Sequence, residues 1–415
     1  MLASSNIVDV AIAGAGPAGT SVAIQLAMKG ARVMLVEEKK FPRPKLCGEF
    51  ISPECFTHFR RLGVFDQMID VGGASLSETV FYSPKGNSVA VPSEWFKSGT
   101  KALGLSRSEM DHKLLERAKS VGVTVLEETH ASLLVQDRGQ VCGVRVKTRD
   151  ATGDTVKDYR ALITIDATGR VGALAREVDR QVDRRADQRR AQKKPTRPSL
   201  VAFKAHLENA RATAGACEIY FYPGGYGGLS GVEGGVSNLC FIVSADDVRR
   251  HDSNPEIVMS KIVRQNARAN YTLAKALVRT QWLSVSLDSF GRRKLSPASG
   301  LLSVGDAAAF IDPFTGSGML MALESGMIAA DIIGRHLVTL REKATFELLA
   351  SEYRAEYFRK FNQRLRISGL LRRAAFVPRL AEAAIFVFGT SSRLRRKLAH
   401  ATRHSSSGKI RTSTG

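Results

Sequence analysis

The chain has 415 residues, 44% of them hydrophobic and 24% charged, a composition that supports two or three domains and excludes a disordered, collagen-like or membrane-bundle protein. Its 61 basic and 40 acidic residues leave a net charge of +21, and residues 341–415 alone hold 17 basic against 5 acidic, so a negatively charged partner is expected at that end. Cys47, Cys55, Cys142, Cys217 and Cys240 show no CxxC spacing, no signal-peptide pattern opens the chain, and the apolar run Ala383–Gly389 is far short of the roughly twenty residues that span a bilayer. A reducing, cytoplasmic setting is expected.

The stretch Ile7–Glu38 reads as an apolar strand to Ala13, a turn with Gly14, Gly16 and Gly19, a helix over roughly Pro17–Lys29, and a second strand, Ala31–Val36, ending on Glu37. This is a βαβ unit for a dinucleotide. Gly14 permits the tight turn, Gly16 lets the backbone approach a pyrophosphate, and Gly19 with Ala23 allows the helix to press on the strands. The helix N-terminus beginning at Pro17 and Ala18 offers N–H groups and positive dipole to phosphates, and Glu37 is placed for a ribose.

Beyond it, two prolines keep the Lys39–Phe50 region extended before a helix predicted from Ser52 to Arg61. Ser77–Pro92 reads as an antiparallel hairpin facing a second domain, and Leu105–Val123 as an amphipathic helix. A β-meander follows and ends in a buried strand, Ala161–Ile165. Residues 176–198 mix charges of both signs without apolar periodicity, which predicts an exposed linker. Strands resume from Ser199 to Leu287 around a helix at Pro255–Leu277, and the glycine run Phe221–Gly235 reads either as space opened for a substrate or as tight turns joining strands. The chain then returns to an apolar strand, a glycine turn and a long helix before a helical, basic C-terminal segment.

Three stretches turn a generic dinucleotide site into a flavin site. Asp166–Arg170 ends a buried strand; Gly305–Ala308 follows another and offers Asp306 to a ribityl or pyrophosphate group; Asp312–Met319, with Pro313, Gly316, Gly318 and Met319, opens a helix whose dipole suits negative charge on a reduced flavin. The combination of GAGPAG with Glu37, the PRPKLCGEF loop, Arg107 in LSRSEMDHKLL, DATGR with Asp166 and Gly169, and VGDAAAFIDPFTGSG resembles the geranylgeranyl reductase-like branch of the flavoprotein superfamily that includes aromatic hydroxylases and flavin-dependent halogenases. The resemblance covers about Ile7–Leu340. It implies an α/β protein: a Rossmann-type FAD-binding domain (1–175 and 290–340, with the 77–92 hairpin) interrupted by an antiparallel β-sheet substrate domain (199–289), then a helical segment (341–415).

The resemblance also implies non-covalent FAD, with Arg107 near its pyrophosphate. The halogenase WxWxIP motif is missing, since Trp95 and Trp282 are isolated, and DATG differs from the hydroxylases' DG. Where the reductases usually continue with glycines after the Cys-Gly pair, this chain has Glu49; where they resemble P-x-x-Y-x-W-x-F-P, Tyr226 matches the tyrosine but Gly228 and Ser230–Gly231 replace the rings, leaving space. The expected reaction is reduction of a carbon–carbon double bond in an apolar substrate, with Cys47, Tyr226 or Glu233 as proton donor and NAD(P)H or another reductant as electron source. The alternatives are a monooxygenase, which shares every FAD residue, and an FAD-binding carrier. His400 and His404 lack a third ligand, so no metal is expected, and the basic tail lacks the aromatics of a nucleic-acid module. Apolar residues interleaved with arginines over Phe358–Leu398 predict peripheral binding to an anionic membrane surface.

Overall fold

Seven residues of almost unbroken hydrophobicity, Ile7–Ala13, suit a strand buried on both faces, and the computed structural model places them inside a seven-stranded sheet. The structure describes residues 7–150, 153–186, 199–287, 290–342, 346–375 and 378–401. Ile7–Ala13 pairs in parallel with Val33–Val36 on one side and with the end of Gly153–Asp166 on the other, while Leu301–Ser303 lies parallel to Thr164–Asp166. The first half of Gly153–Asp166 leaves this parallel core and pairs antiparallel with Gln140–Asp150, which in turn pairs with Thr129–Asp137. That is the predicted meander.

Helices Pro17–Met28, Arg107–Ser120 and Gly318–Arg341 pack into one hydrophobic core with the strands, through Val22, Leu26, Leu114, Leu115, Ile332 and Ile333. Ser106 caps the second of these helices, its hydroxyl accepting from the Glu109 N–H at 3.2 Å. The helix expected from Ser52 runs instead over Cys55–Leu62 and stops at Gly63, whose φ of +71° ends it in a left-handed cap.

The second sheet has eight strands and is the antiparallel body expected of the inserted domain. Leu200–Glu208 pairs with Ser237–Ser244, which pairs with Gly225–Gly231 and then Ala216–Tyr222. The middle of the glycine run is therefore a strand, Gly225–Gly231, and not the set of turns that was one of its two readings. It needs glycine because a Cβ at Gly225 would lie 2.0 Å from Ile242 O. The 77–92 hairpin, Glu78–Tyr82 with Ser88–Pro92, does more than face this sheet: it joins it, parallel to Ala216–Tyr222.

Two further expectations change. The long helix at Pro255–Leu277 is broken into Pro255–Lys261, a 3-10 turn and Ala267–Thr272, because buried Asn266 caps the last piece through Oδ1 while its Nδ2 donates to the carbonyls of Tyr82, Ser83 and Phe221. Residues 176–198 begin not as a linker but inside a helix, Ala173–Ala186, since Leu174 and Val178, four apart, bury themselves against the meander. The rest of that stretch, 187–198, lies outside the described residues.

The C-terminal segment is helical as expected, over Phe346–Ala375, Pro378–Thr390 and Ser392–Ala401. Its first helix is part of the core of the first sheet and its helices: Tyr353, Tyr357 and Phe361 are buried, and Arg364, 1% exposed, pairs with Glu324 at 2.8 Å.

Buried Asp9 ties three ends of the first domain together, accepting from the Arg32 N–H at 2.7 Å and from the Arg341 guanidinium at 2.6 and 3.1 Å. Burial alone would raise its pKa, but Arg341 and Arg32 hold it well below the usual carboxylate range. A depressed carboxylate adds stability above its unfolded pKa and loses it as pH falls. Asp9→Asn is thus expected to lose on the order of 2 kcal/mol at pH 7, with the gap from wild type narrowing as the pH falls below about 4, as read by urea unfolding at several pH values.

Candidate functional site

The glycine turn sorts its residues by what surrounds them. Gly14 sits at φ +103°, where a Cβ would lie 2.3 Å from Ala167 O, and a Cβ at Gly19 would lie 1.9 Å from Gly14 O. These two glycines let the turn close and the helix approach. At Gly16 the nearest atom to a Cβ is an Arg107 guanidinium nitrogen 3.9 Å away, so space opens above it.

Two helix N-termini lie side by side at the C-terminal ends of the parallel strands. Pro17–Met28 and Gly318–Arg341 touch through Ser21 Oγ, which donates to Leu323 O at 3.2 Å, and Gly326, where a Cβ would lie 2.6 Å from Ala18 O. Gly305, at φ +59°, is wedged against them; its Cβ would lie 2.7 Å from that of Ala18 and 3.8 Å from that of Ala322. Neither helix has a side-chain cap. Their first-turn N–H groups and positive dipole ends are left for an anionic or strongly polar ligand, with Met319 buried at the second terminus.

Charged groups rim this corner. Glu37 accepts from the Ala15 N–H at 2.9 Å and the Lys39 N–H at 3.1 Å, so it braces the turn, and Arg43 lies 3.3 Å from it. Arg43 also reaches Asp111, which takes two hydrogen bonds from Arg107, at 2.8 and 2.7 Å. Asp111 was not singled out from sequence, although its position four residues after Arg107 on one helix face was a legible signal.

Asp166 is turned inward. Its carboxylate accepts from Thr168 N–H and Oγ1 and from the Ala175 N–H, at 3.0, 2.6 and 2.9 Å, so it shapes the loop that carries Gly169. Asp306 behaves differently: among the described residues its carboxylate feels burial and surrounding charges but accepts no hydrogen bond. Burial pushes its pKa up against the pull of Arg107, Lys45, Arg293 and Arg170, leaving an open acceptor ringed by cations.

The Pro313–Gly316 turn reaches across to the second sheet. Phe314 packs against Phe81, Phe221 and Tyr226 with ring centroids 5.7, 5.6 and 5.5 Å apart, and Leu46, Ile242 and Phe310 join the same apolar cluster. Buried Tyr226 donates its hydroxyl to Asp312 Oδ1, which also accepts from the Phe314 N–H at 2.9 Å. Among the described residues Asp312 Oδ2 is buried without a hydrogen-bond partner, with Arg372 Nε 4.0 Å away, and burial pushes this carboxyl up.

The three expected proton donors are thus separated. Tyr226 lines the aromatic cluster. Cys47 sits on the loop beside Arg107, its Sγ accepting from the Glu49 N–H at 3.4 Å. Glu233 stands at the seam between the domains, accepting from the Ser106 N–H at 2.9 Å. The space expected where rings are missing is filled, because a Cβ at Gly228 would lie 3.0 Å from the Ile219 side chain and one at Gly231 would lie 3.1 Å from the Ala74 methyl, with Ser230 buried between them. Sequence reasoning also missed Lys204 and His206, which meet Glu49. A charge at an inward position of the apolar strand Leu200–Glu208 was the signal available for Lys204.

Residues 7–360 match the family described as FAD binding domain. The chain belongs to this FAD-binding family. This FAD-binding protein is 26% identical over 368 residues to digeranylgeranylglycerophospholipid reductase 2 of Methanopyrus kandleri, covering 87% of this chain and 85% of that one. It is 28% identical over 342 residues to conditioned medium factor receptor 1 of Dictyostelium discoideum, with 78% of this chain aligned but only 63% of that protein's length. A geranylgeranyl bacteriochlorophyll reductase-like structure from Thermoplasma acidophilum superposes with a TM-score of 0.76 at 19% identity, over 96% of each chain, a likeness of fold. The protein is an oxidoreductase by family, with FAD as its cofactor.

The glycines give a paired test. Gly16→Val is expected to fold, with a melting temperature near wild type, yet to purify colourless, because its side chain fills the open space by Arg107. Gly19→Ala is expected to lose several kcal/mol of stability, because its methyl overlaps Gly14 O and overpacking at backbone cannot relax cheaply. Absorbance at the flavin bands and thermal unfolding read both; a yellow Gly16→Val protein would refute the placement.

Proposed function

We propose that this FAD-binding protein is a reductase that saturates a carbon–carbon double bond in an apolar, isoprenoid or polyketide-derived substrate. The observation that carries the reading is the shared aromatic cluster: Phe314 belongs to the turn that opens the FAD-side helix, yet it packs among Phe81, Phe221 and Tyr226 of the second sheet. A packed apolar, aromatic cluster therefore adjoins the uncapped helix N-terminus, on the side from which an apolar substrate would approach. The names of the Methanopyrus relative and the Thermoplasma structure support a polyprenyl substrate over an aromatic one.

FAD, when bound, supplies the hydride. The chain's own residues hold it: the open backbone at Gly16, the first-turn N–H groups at Ala18, Gly19, Gly318 and Met319, Arg107 toward phosphate, and Glu37 and Asp306 toward hydroxyls. Gly14, Asp166, Gly169, Gly305, Pro313 and Gly316 shape the loops that place them. The positive end of the Gly318–Arg341 helix favours negative charge in front of it, which stabilises a reduced ring.

The proton comes from the Tyr226–Asp312 pair. Tyr226 Oη, held by Asp312, passes its proton to the substrate carbon, and the Asp312 carboxyl, which burial pushes up, is the neighbouring group through which the phenol regains one. NAD(P)H is the proposed reductant that recharges the cofactor. Photoreduced protein mixed anaerobically with a geranylgeranyl lipid should yield the saturated product, and Tyr226→Phe should keep its FAD while turning over about 100-fold more slowly. Product formed only in the presence of oxygen would mark a monooxygenase and overturn the reading.

A lipid substrate has to be drawn from a membrane, and the C-terminal helices are suited to that surface. Among the described residues no helix is long and apolar enough to cross a bilayer. Pro378–Thr390 buries Ile385 in the aromatic cluster with Phe388 beside it, while Phe386 is 75% exposed, and the helix that follows carries the exposed cations Arg393, Arg396 and Lys397. Each cation near an anionic surface is worth about 1 kcal/mol. The full chain should sediment with phosphatidylserine vesicles at low salt and release at high salt. A truncation after Ala375, which spares buried Phe361 and Arg364, should abolish sedimentation and keep FAD; a full chain that ignores such vesicles would refute surface binding.

A further inference from the structure

Glu49 is an anomaly on three counts. It is a non-glycine residue at φ +55°, it is 0% exposed, and its carboxylate binds a second buried charge, Lys204, itself 3% exposed. Left-handed backbone is unfavourable at such a residue, and a buried ion pair rarely stabilises a fold better than apolar side chains of equal volume. Strain and desolvation kept together at one residue of a loop point to a task at that residue.

Its contacts define the task. Glu49 Oε1 accepts from the Arg107 N–H at 2.9 Å as well as from Lys204, and Oε2 pairs with His206 Nε2 at 2.7 Å. The Glu49 carbonyl accepts from the Leu105 N–H at 3.2 Å. One residue thus grips both neighbours of Ser106, the cap of the Arg107–Ser120 helix, and ties them to two side chains on a single strand of the second sheet. Glu233 adds a second carboxylate to the same helix end through the Ser106 N–H. Burial would raise the Glu49 pKa, but His206, Lys204 and the Arg107 N–H lower it, so the grip is ionic.

We propose that Glu49 is a positioning residue for Arg107, through which docking of the Lys204–His206 strand sets the affinity for FAD. The helix end bearing Arg107 is held in register with Gly16 only while the substrate sheet is seated; the cofactor and the sheet are coupled through one carboxylate. This rests on FAD as the ligand of the corner above, not on the reaction proposed for it, so a protein that binds FAD but saturates no double bond leaves it standing.

The test is a double-mutant cycle read as FAD affinity of the apoprotein by flavin fluorescence, with apoprotein melting temperature measured alongside. Glu49→Gly suits the left-handed backbone and deletes the carboxylate, Lys204→Met deletes the partner charge, and the pair together leaves no unpaired buried ion. Each single variant should weaken FAD at least tenfold, and the double variant should weaken it no further than the weaker single, with its melting temperature at or above wild type. If the singles fail to fold, the double variant alone decides. FAD affinity within twofold of wild type in Glu49→Gly or in the double variant would overturn the assignment. So would an affinity loss that only follows a lost melting temperature, which would make Glu49 a plain structural counter-ion.

Discussion

Close approach of backbone to backbone governs this structure. Two helices start side by side at the ends of parallel strands, and the room for that comes from deleting side chains at Gly14, Gly19, Gly305 and Gly326, each of which would otherwise strike a neighbouring main chain or an alanine methyl. The small residues Ala18, Ser21 and Ala322 continue the contact. Two dipole ends then point the same way without caps, a repulsive arrangement that an anionic ligand relieves. Selection for such a ligand is written into the packing itself.

The charges around the corner form layers of different purpose. Asp9 and Asp166 are consumed by the scaffold, one binding arginines and the other its own loop. Glu37 and Asp111 brace the turn and the arginines that overlook it. Asp306 alone of this set accepts nothing from the described residues. Removing Asp9 or Asp166 therefore damages the scaffold first, whereas Asp306 has little structural duty among the described residues.

Much of this was legible in the chain, and the reasons are physical. Apolar runs ending in glycine turns announce parallel strands that feed helices, so the βαβ unit, the meander and the long helix after Gly318 all stood in the sequence near their observed bounds. What stayed hidden depends on partners distant in sequence. Glycines at 225–231 look like turns because nothing local says that Ile219 and Phe241 will occupy the space of the absent side chains. Asn266 breaks a helix for carbonyls more than forty residues away, and Glu49 finds its partners 155 and 157 residues along the chain. Roles at the site followed the same divide: the glycine positions were readable, while the direction of each carboxylate was not.

The hairpin Glu78–Pro92 has a consequence for how the protein comes to exist at all. Ala216–Tyr222 has Gly225–Gly231 on one side, but on the other its only sheet neighbour among the described residues is a strand made some 140 residues earlier in synthesis. Until that hairpin docks, the second sheet presents an edge of unpaired backbone groups, a template for association with other chains. The inserted region is therefore not a module that can be excised, shuffled or grafted as 199–289. Its native boundary is interleaved with its host, and the two bodies must mature as one cooperative unit whose slowest contacts span nearly a third of the chain.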